Sequence, residues 1–282
     1  LGKCFGETPD INAAIRWAAG ATVPGVPTNP APAKVINLSL GSGGTCSQDD
    51  QDAVNVALAR GAVVMAAAGN TAGRAVGAPA NCAGVIGVAA LRHIGTKVGF
   101  SDVGPELKIA APGGNCVNVG DNEPCLYPIL TTLDSGTRGP TAPSYSDSFN
   151  ISVGTSFSSP LVAGTAALLY SVKPAITPAQ VLAALQSTAR PFPASGAEPD
   201  PFTGAIVACQ APGASDQLQC YCTTGTCGAG MLDADAAVRS LLGGEAALQP
   251  AVSAEPASAV AGQSVVLSSA RSLVPGGRAV AA

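Results

Sequence analysis

Four short apolar runs constrain this 282-residue chain more than any other feature. They fall at residues 34–40 (KVINLSL), 62–68 (AVVMAAA), 85–90 (VIGVAA) and 107–111 (LKIAA). A strand with one wet face alternates apolar and polar side chains, whereas runs this continuously apolar are covered on both faces, as in a parallel sheet between helices. Helical patterns lie between and after them. Residues 10–19 start with an acidic cap at Asp10 and carry Ile11, Ala14, Ile15 and Ala18 on one face; residues 47–60 repeat the form with Ser47 as cap. Residues 160–172 are apolar or small on nearly every face, the mark of a buried helix whose N-terminus lies in the interior. Further helices are expected at 178–189, after Thr177, and from Asp233 to near Leu242, closed by Gly243 and Gly244. The alternation predicts an α/β fold of three layers with a mainly parallel sheet.

Composition excludes some partners. Charged residues make up 11% of the chain and the net charge is -4, so no basic surface is offered to nucleic acid or anionic lipid. The longest apolar stretch, residues 161–170, is broken by Gly164 and is too short to cross a bilayer.

The most informative string is residues 154–160, GTSFSSP, leading into LVAGTAALL. A serine at the mouth of a buried helix sits among outward-pointing N–H groups and at the positive end of the helix dipole, which suits a nucleophile whose target becomes an oxyanion. Ser156 is that residue. In residues 63–70, VVMAAAGN, Asn70 stands just beyond the carboxyl end of a strand, where ligands of open α/β sheets bind, and its amide can donate to such an oxyanion. Taken singly, each has an ordinary reading: Ser156 as a helix cap, Asn70 as a turn residue after Gly69.

Together with VINLSLG, VGAPANCAGVIGV, FSDVGPELKIAAPG and GMLDADAA, in this order, these strings resemble the subtilisin-like serine peptidases from residue 1 to about 242. The resemblance implies that Ser156 is the acylated nucleophile and Asn70 the oxyanion donor. It implies a substrate site in which Ser39, Leu40 and Gly41 form an edge strand that pairs with an extended peptide and one wall of the specificity pocket. Ala67, Ala68 and Gly69 form the other wall, Gly77 the floor, and Thr155 precedes the nucleophile. A glycine floor predicts a deep slot for bulky uncharged side chains. A cis peptide is expected at Ala78–Pro79. The substrates implied are proteins or peptides. No cofactor is evident and no metal is assigned: calcium occurs in the family, but Glu106 beside Lys108 is a poor ligand set.

The triad of that family runs Asp, His, Ser along the chain. Neither its Asp strand nor its His helix precedes Ser156, and the sole histidine, His93, falls in the turn after the third strand and reads as a solvated loop residue. The expectation is a peptidase domain at 1–242 incomplete at its N-terminus, whose Asp and His lie in an upstream segment; alone the chain is expected to be nearly inactive. The alternative is a catalytically inactive binding module. A more distant one, a nucleotide-cofactor oxidoreductase, rests on Gly41-Ser42-Gly43-Gly44 between a strand and a helix, loosely like a dinucleotide-binding turn. Residues 243–263 read as a linker, and 264–282, with a strand-like run at 264–267, as the start of a truncated immunoglobulin-like or PKD-like β module.

Nine cysteines point to export. Cys46 follows one pocket wall and Cys82 the floor, which pairs them; Cys116 and Cys125 enclose a polar loop; Cys209, Cys220, Cys222 and Cys227 form two further bridges or, alternatively, bind zinc. Cys4 is then left for a partner upstream, with a Cys4–Cys46 bridge as the runner-up.

Overall fold

The computed structural model describes residues 6–115, 128–137, 139–146, 153–197 and 204–242, and the backbone of 253–255 and 266–268. Its centre is a four-stranded parallel sheet in the order β1 (Val35–Leu38), β2 (Val63–Ala67), β3 (Ile86–Leu91), β4 (Leu107–Pro112). Every residue of β2 and β3 is buried. The alternation along β2 sorts the two layers: Val64 and Ala66 face Val54 and Ala57 of α2 (Gln48–Ala59) and Ile15 of α1 (Thr8–Ala18). Val63 and Met65 face Leu169 of α3 (Thr155–Val172), Leu185 of α4 (Pro178–Ser187) and Val238 of α5 (Ala234–Leu241). Period-two side-chain alternation thus builds the three-layer α/β/α arrangement that the apolar runs predict.

Helix entry follows local chemistry. Ser47 closes a capping box with Asp50, Thr177 another with Gln180, and the Asp233 carboxylate accepts from Ala236 N–H. Helix α1 departs from expectation: it begins at Thr8 with Pro9 in the first turn, where its missing N–H costs nothing, so Asp10 lies inside the first turn and caps nothing. Its inner face carries Asn12 and Ile15, while Ala14 is exposed; Asn12 Nδ2 donates to Asp49 Oδ2 at 2.8 Å and Asp50 Oδ1 at 2.9 Å, tying α1 to the start of α2.

Helix α3 lies against all four strands, but it is not covered all round. Leu161 and Leu168 are 42% and 50% exposed, on a stripe with Pro160 and Gly164. Two features were not predicted from the sequence: the antiparallel hairpin of β5 (Thr131–Asp134) and β6 (Pro143–Ser146), and β7 (Ser253–Glu255), which lies within the expected linker and pairs with β8 (Val266–Ser268). The rest of the expected linker and β module lies outside the described residues. The Ala78–Pro79 peptide is cis.

Candidate active site

The site forms where the N-terminus of α3 meets the carboxyl ends of β1 and β2. Proline at 160 removes the N–H that would reach back to the Ser156 carbonyl. Ser39 Oγ donates to that carbonyl instead, at 2.7 Å, and Ser156 Oγ donates to the Ser39 carbonyl at 3.3 Å. Asn37 Nδ2 donates to Ser39 Oγ, and Ser159 Oγ to Asn37 Oδ1, so the last residues of β1 and the first turn of α3 are joined by side-chain bonds.

The orientation of Asn70 is fixed by chemistry. Thr155 N–H can only donate, and it does so to Asn70 at 2.9 Å, so the atom it meets is Oδ1. Thr155 Oγ1 donates to the same oxygen at 2.9 Å and accepts from Gly69 N–H at 3.2 Å. Asn70 Nδ2 is therefore the free end of the amide, a donor at the rim that Ser156 occupies. Ser156, Asn70 and Thr155 line one cavity of about 220 Å³ together with Leu40, Gly41, Ala67, Ala68, Gly69 and Gly77. Ser39 stands beside it through its bonds to Ser156.

One expectation needs correction, and two gain detail. β1 ends at Leu38, Ser39-Leu40-Gly41 runs on exposed beyond it, and order resumes where Ser42 N–H donates to the Ala78 carbonyl at 2.8 Å. Gly77 does not simply deepen the pocket, because a Cβ there would run into the Ser42 carbonyl; the glycine admits a crossing backbone. Gly41-Ser42-Gly43-Gly44 is not a dinucleotide turn, since α2 opens only at Gln48 behind the Ser47 cap and the glycines never reach a helix N-terminus.

Sequence reasoning missed two buried charges. Asp102 lines the cavity at 3% exposure, and burial pushes its carboxyl upward while hydrogen bonds from Thr71 and Arg74 and the field of Lys97 oppose the rise. Lys97 is fully buried and donates to the carbonyls of Val98, Gly99 and Ser101; burial lowers it to about 7, against the pull of Asp102. The only available signal was the acidic residue of FSDVG, which reads equally as a turn cap. His93 is exposed and lines a different cavity with Arg190 and Met231, and burial and Arg92 lower its imidazole below the ordinary value.

Cys46 bridges Cys82, which removes the Cys4–Cys46 pairing; Cys209 bridges Cys220 and Cys222 bridges Cys227. The sulfurs of Cys209, Cys222 and Cys227 lie within 4.8 Å of one another, but all are spent in disulfides, so the zinc reading fails. Cys4, Cys116 and Cys125 lie outside the described residues.

Residues 1–225 match the subtilase family. The chain belongs to that family. Among subtilases and their kin it is 44% identical over 246 residues to an extracellular protease of Xanthomonas campestris pv. campestris, covering 86% of this chain and 35% of that protein. It is 34% identical over 255 residues to an extracellular basic protease of Dichelobacter nodosus, covering 89% of this chain and 35% of that one. A solved protease structure from Pseudoalteromonas arctica superposes with a TM-score of 0.67 at 39% identity, covering 86% of this chain and 61% of that chain. The subtilase chain thus spans about a third of the length of the two named sequence relatives. Among the described residues no helix is long and apolar enough to cross a membrane.

Proposed function

We propose that this chain carries the nucleophile and oxyanion site of a secreted serine endopeptidase that hydrolyses proteins through an acyl-enzyme on Ser156. Ser156 Oγ attacks the substrate carbonyl as its proton passes to an imidazole; the new oxyanion is held by Asn70 Nδ2 and the Ser156 N–H. Collapse expels the amine, which takes the proton, and water releases the acyl group by the same steps. The observation that carries this reading is the double anchoring of Asn70 Oδ1 by Thr155, which leaves the amide's donor end at the rim beside Ser156.

The base is assigned to an upstream segment that brings Asp and His, in the order of the subtilases. As the chain stands, the Ser156 hydroxyl faces the Ser39 carbonyl, which cannot take up a proton. Two surfaces suit such a segment: the outer edge of β1, which among the described residues pairs only with β2, and the exposed leucine stripe of α3. The three disulfides among the described residues fit an oxidising compartment, and both relatives are named extracellular.

The test uses the full-length gene product purified from a secreting host. It should label with a fluorophosphonate and hydrolyse casein, and Ser156→Ala should abolish both. The present chain alone should turn over about 10⁶-fold more slowly, the order of loss when the base is removed from subtilisin. A full-length protein that neither labels nor hydrolyses, yet binds peptides, overturns the proposal in favour of an inactive binding module.

A further inference from the structure

Asn70 stands in a difficult place for a group that has to be aimed. It is exposed, it lies in a loop outside the strands, and it follows Gly69, whose φ of 113° lies in a region that offers little steric restraint to glycine. Thr155 grips the end of its side chain and, through Oγ1, the Gly69 N–H. From the opposite side Asp102 holds the residues flanking Asn70, while Phe100, Val103 and Gln217 bond the backbone further along, at Ala72, Gly73 and Arg74. The Asp102 N–H donates to the Gly69 carbonyl at 3.0 Å. Its Oδ1 accepts from Thr71 N–H at 3.0 Å, from Thr71 Oγ1 at 2.7 Å and from Arg74 N–H at 3.1 Å, and its Oδ2 also lies 2.8 Å from Thr71 Oγ1. The residues immediately before and after Asn70 are both bonded to Asp102.

We infer that Asp102 is a positioning residue for the oxyanion donor, fixing the Gly69–Arg74 backbone so that the Asn70 amide meets the developing charge. This rests on the reading of Asn70 given above. The choice of residue follows from the donors: two N–H groups and a hydroxyl converge, and a carboxylate has acceptor sites for all of them where a hydroxyl has two lone pairs. The contact leaves no slack, because a Cβ on Gly69 would run into Asp102 Oδ2.

Asp102 is in turn anchored to the rigid sheet. Ser101 Oγ accepts from the Ala90 N–H of β3 at 3.0 Å and donates to the Asp102 carbonyl at 3.1 Å. The three Lys97 bonds, at 2.9 to 3.0 Å, draw the carbonyls of Val98, Gly99 and Ser101 onto one ammonium and hold the turn that presents Asp102. Restraint passes from β3 through this turn to the Asn70 loop.

The experiment is a double-mutant cycle in the full-length secreted enzyme, with Asp102→Ala, Asn70→Ala and the pair, read as kcat and KM on a peptide substrate. Asn70→Ala should lower kcat by about 10² to 10³. Asp102→Ala should lower kcat by about 10- to 100-fold with KM changed less than threefold. In the Asn70→Ala background it should cost less than threefold, because the group it positions is already gone. Asp102→Asn, which keeps one acceptor oxygen for the two N–H donors, should retain most of kcat and keeps the test open should the alanine variant fail to fold. Independent, multiplying losses, a loss carried by KM, or an Asp102→Asn variant as damaged as a folded alanine variant would overturn the assignment. If Asn70→Ala itself leaves kcat unchanged, the oxyanion reading fails, a different result from failure of Asp102 alone.

Discussion

The disulfide between Cys46 and Cys82 should be the strongest covalent contribution to stability among the three described bridges. It closes 36 residues of chain, against 11 for Cys209–Cys220 and 5 for Cys222–Cys227. Loop-closure entropy removed from the unfolded chain grows with the logarithm of loop length, which gives about 3.8, 2.8 and 2.1 kcal/mol respectively at 25 °C. The first bridge also joins the two sides of the pocket: Cys46 follows the Gly41–Gly44 segment and Cys82 follows the Gly77–Ala80 turn. Replacing both cysteines of a pair by alanine and following urea unfolding by circular dichroism tests the order. With an m-value of about 3 kcal/mol/M, loss of the Cys46–Cys82 bridge should lower the midpoint by about 1.3 M, and loss of Cys222–Cys227 by roughly half as much. If the five-residue bridge costs as much as the long one, unfolded-state entropy is not the source of the stability and the reasoning is wrong.

Gly77→Ala should destabilise by about 1–3 kcal/mol, the usual cost of forcing an extra methyl into a packed site, because the methyl has to displace the Ser42 carbonyl. In the full-length enzyme KM should rise more than kcat falls, and an unchanged urea midpoint would refute the close approach. Lys97 gives a pH signature. Burial lowers its ammonium to about 7 from an ordinary 10.5, so between those values the unfolded chain holds a proton that the folded chain sheds. Stability should therefore rise with pH across that window, by at most about 1.4 kcal/mol per unit, with the penalty fully present below pH 7. The gap in urea midpoint between the native chain and Lys97→Met should shift in favour of the native chain from pH 6.5 to 9.5; a constant gap refutes it.

How legible each part was follows from what fixes it. The strands could be read because a segment buried on both faces has to be apolar at successive positions, and β2 and β3 are. The caps at Ser47 and Thr177 could be read because they are settled within four residues. The exposed side of α3 could not, since an apolar stripe looks the same in sequence whether or not another element lies on it. Lys97 and Asp102 were hidden for the opposite reason: a charged residue is buried only where the folded backbone converges on it, and Lys97 needs a turn that aims three nearby carbonyls at its amine while Asp102 needs Thr71 and Arg74 from about thirty residues away. The β5–β6 hairpin, TTLD against PSYS, carries too little apolar alternation to declare itself.

Pro160 links these two kinds of information. A proline in the body of a helix ordinarily costs about 3 kcal/mol or more because a backbone bond is lost and a carbonyl is orphaned. Here the orphan is the carbonyl of Ser156, and the Ser39 hydroxyl, 117 residues away in sequence, takes the vacant place. The Ser39 carbonyl then receives the Ser156 hydroxyl, so the two serines bond each other in both directions. A local defect in α3 is thereby converted into a tertiary tie between the nucleophile and the end of β1. Asn37 and Ser159 repeat the tie one turn further along. The nucleophile is consequently held by the segment that walls the pocket, and a change in that wall is felt at Ser156 without any direct substitution there.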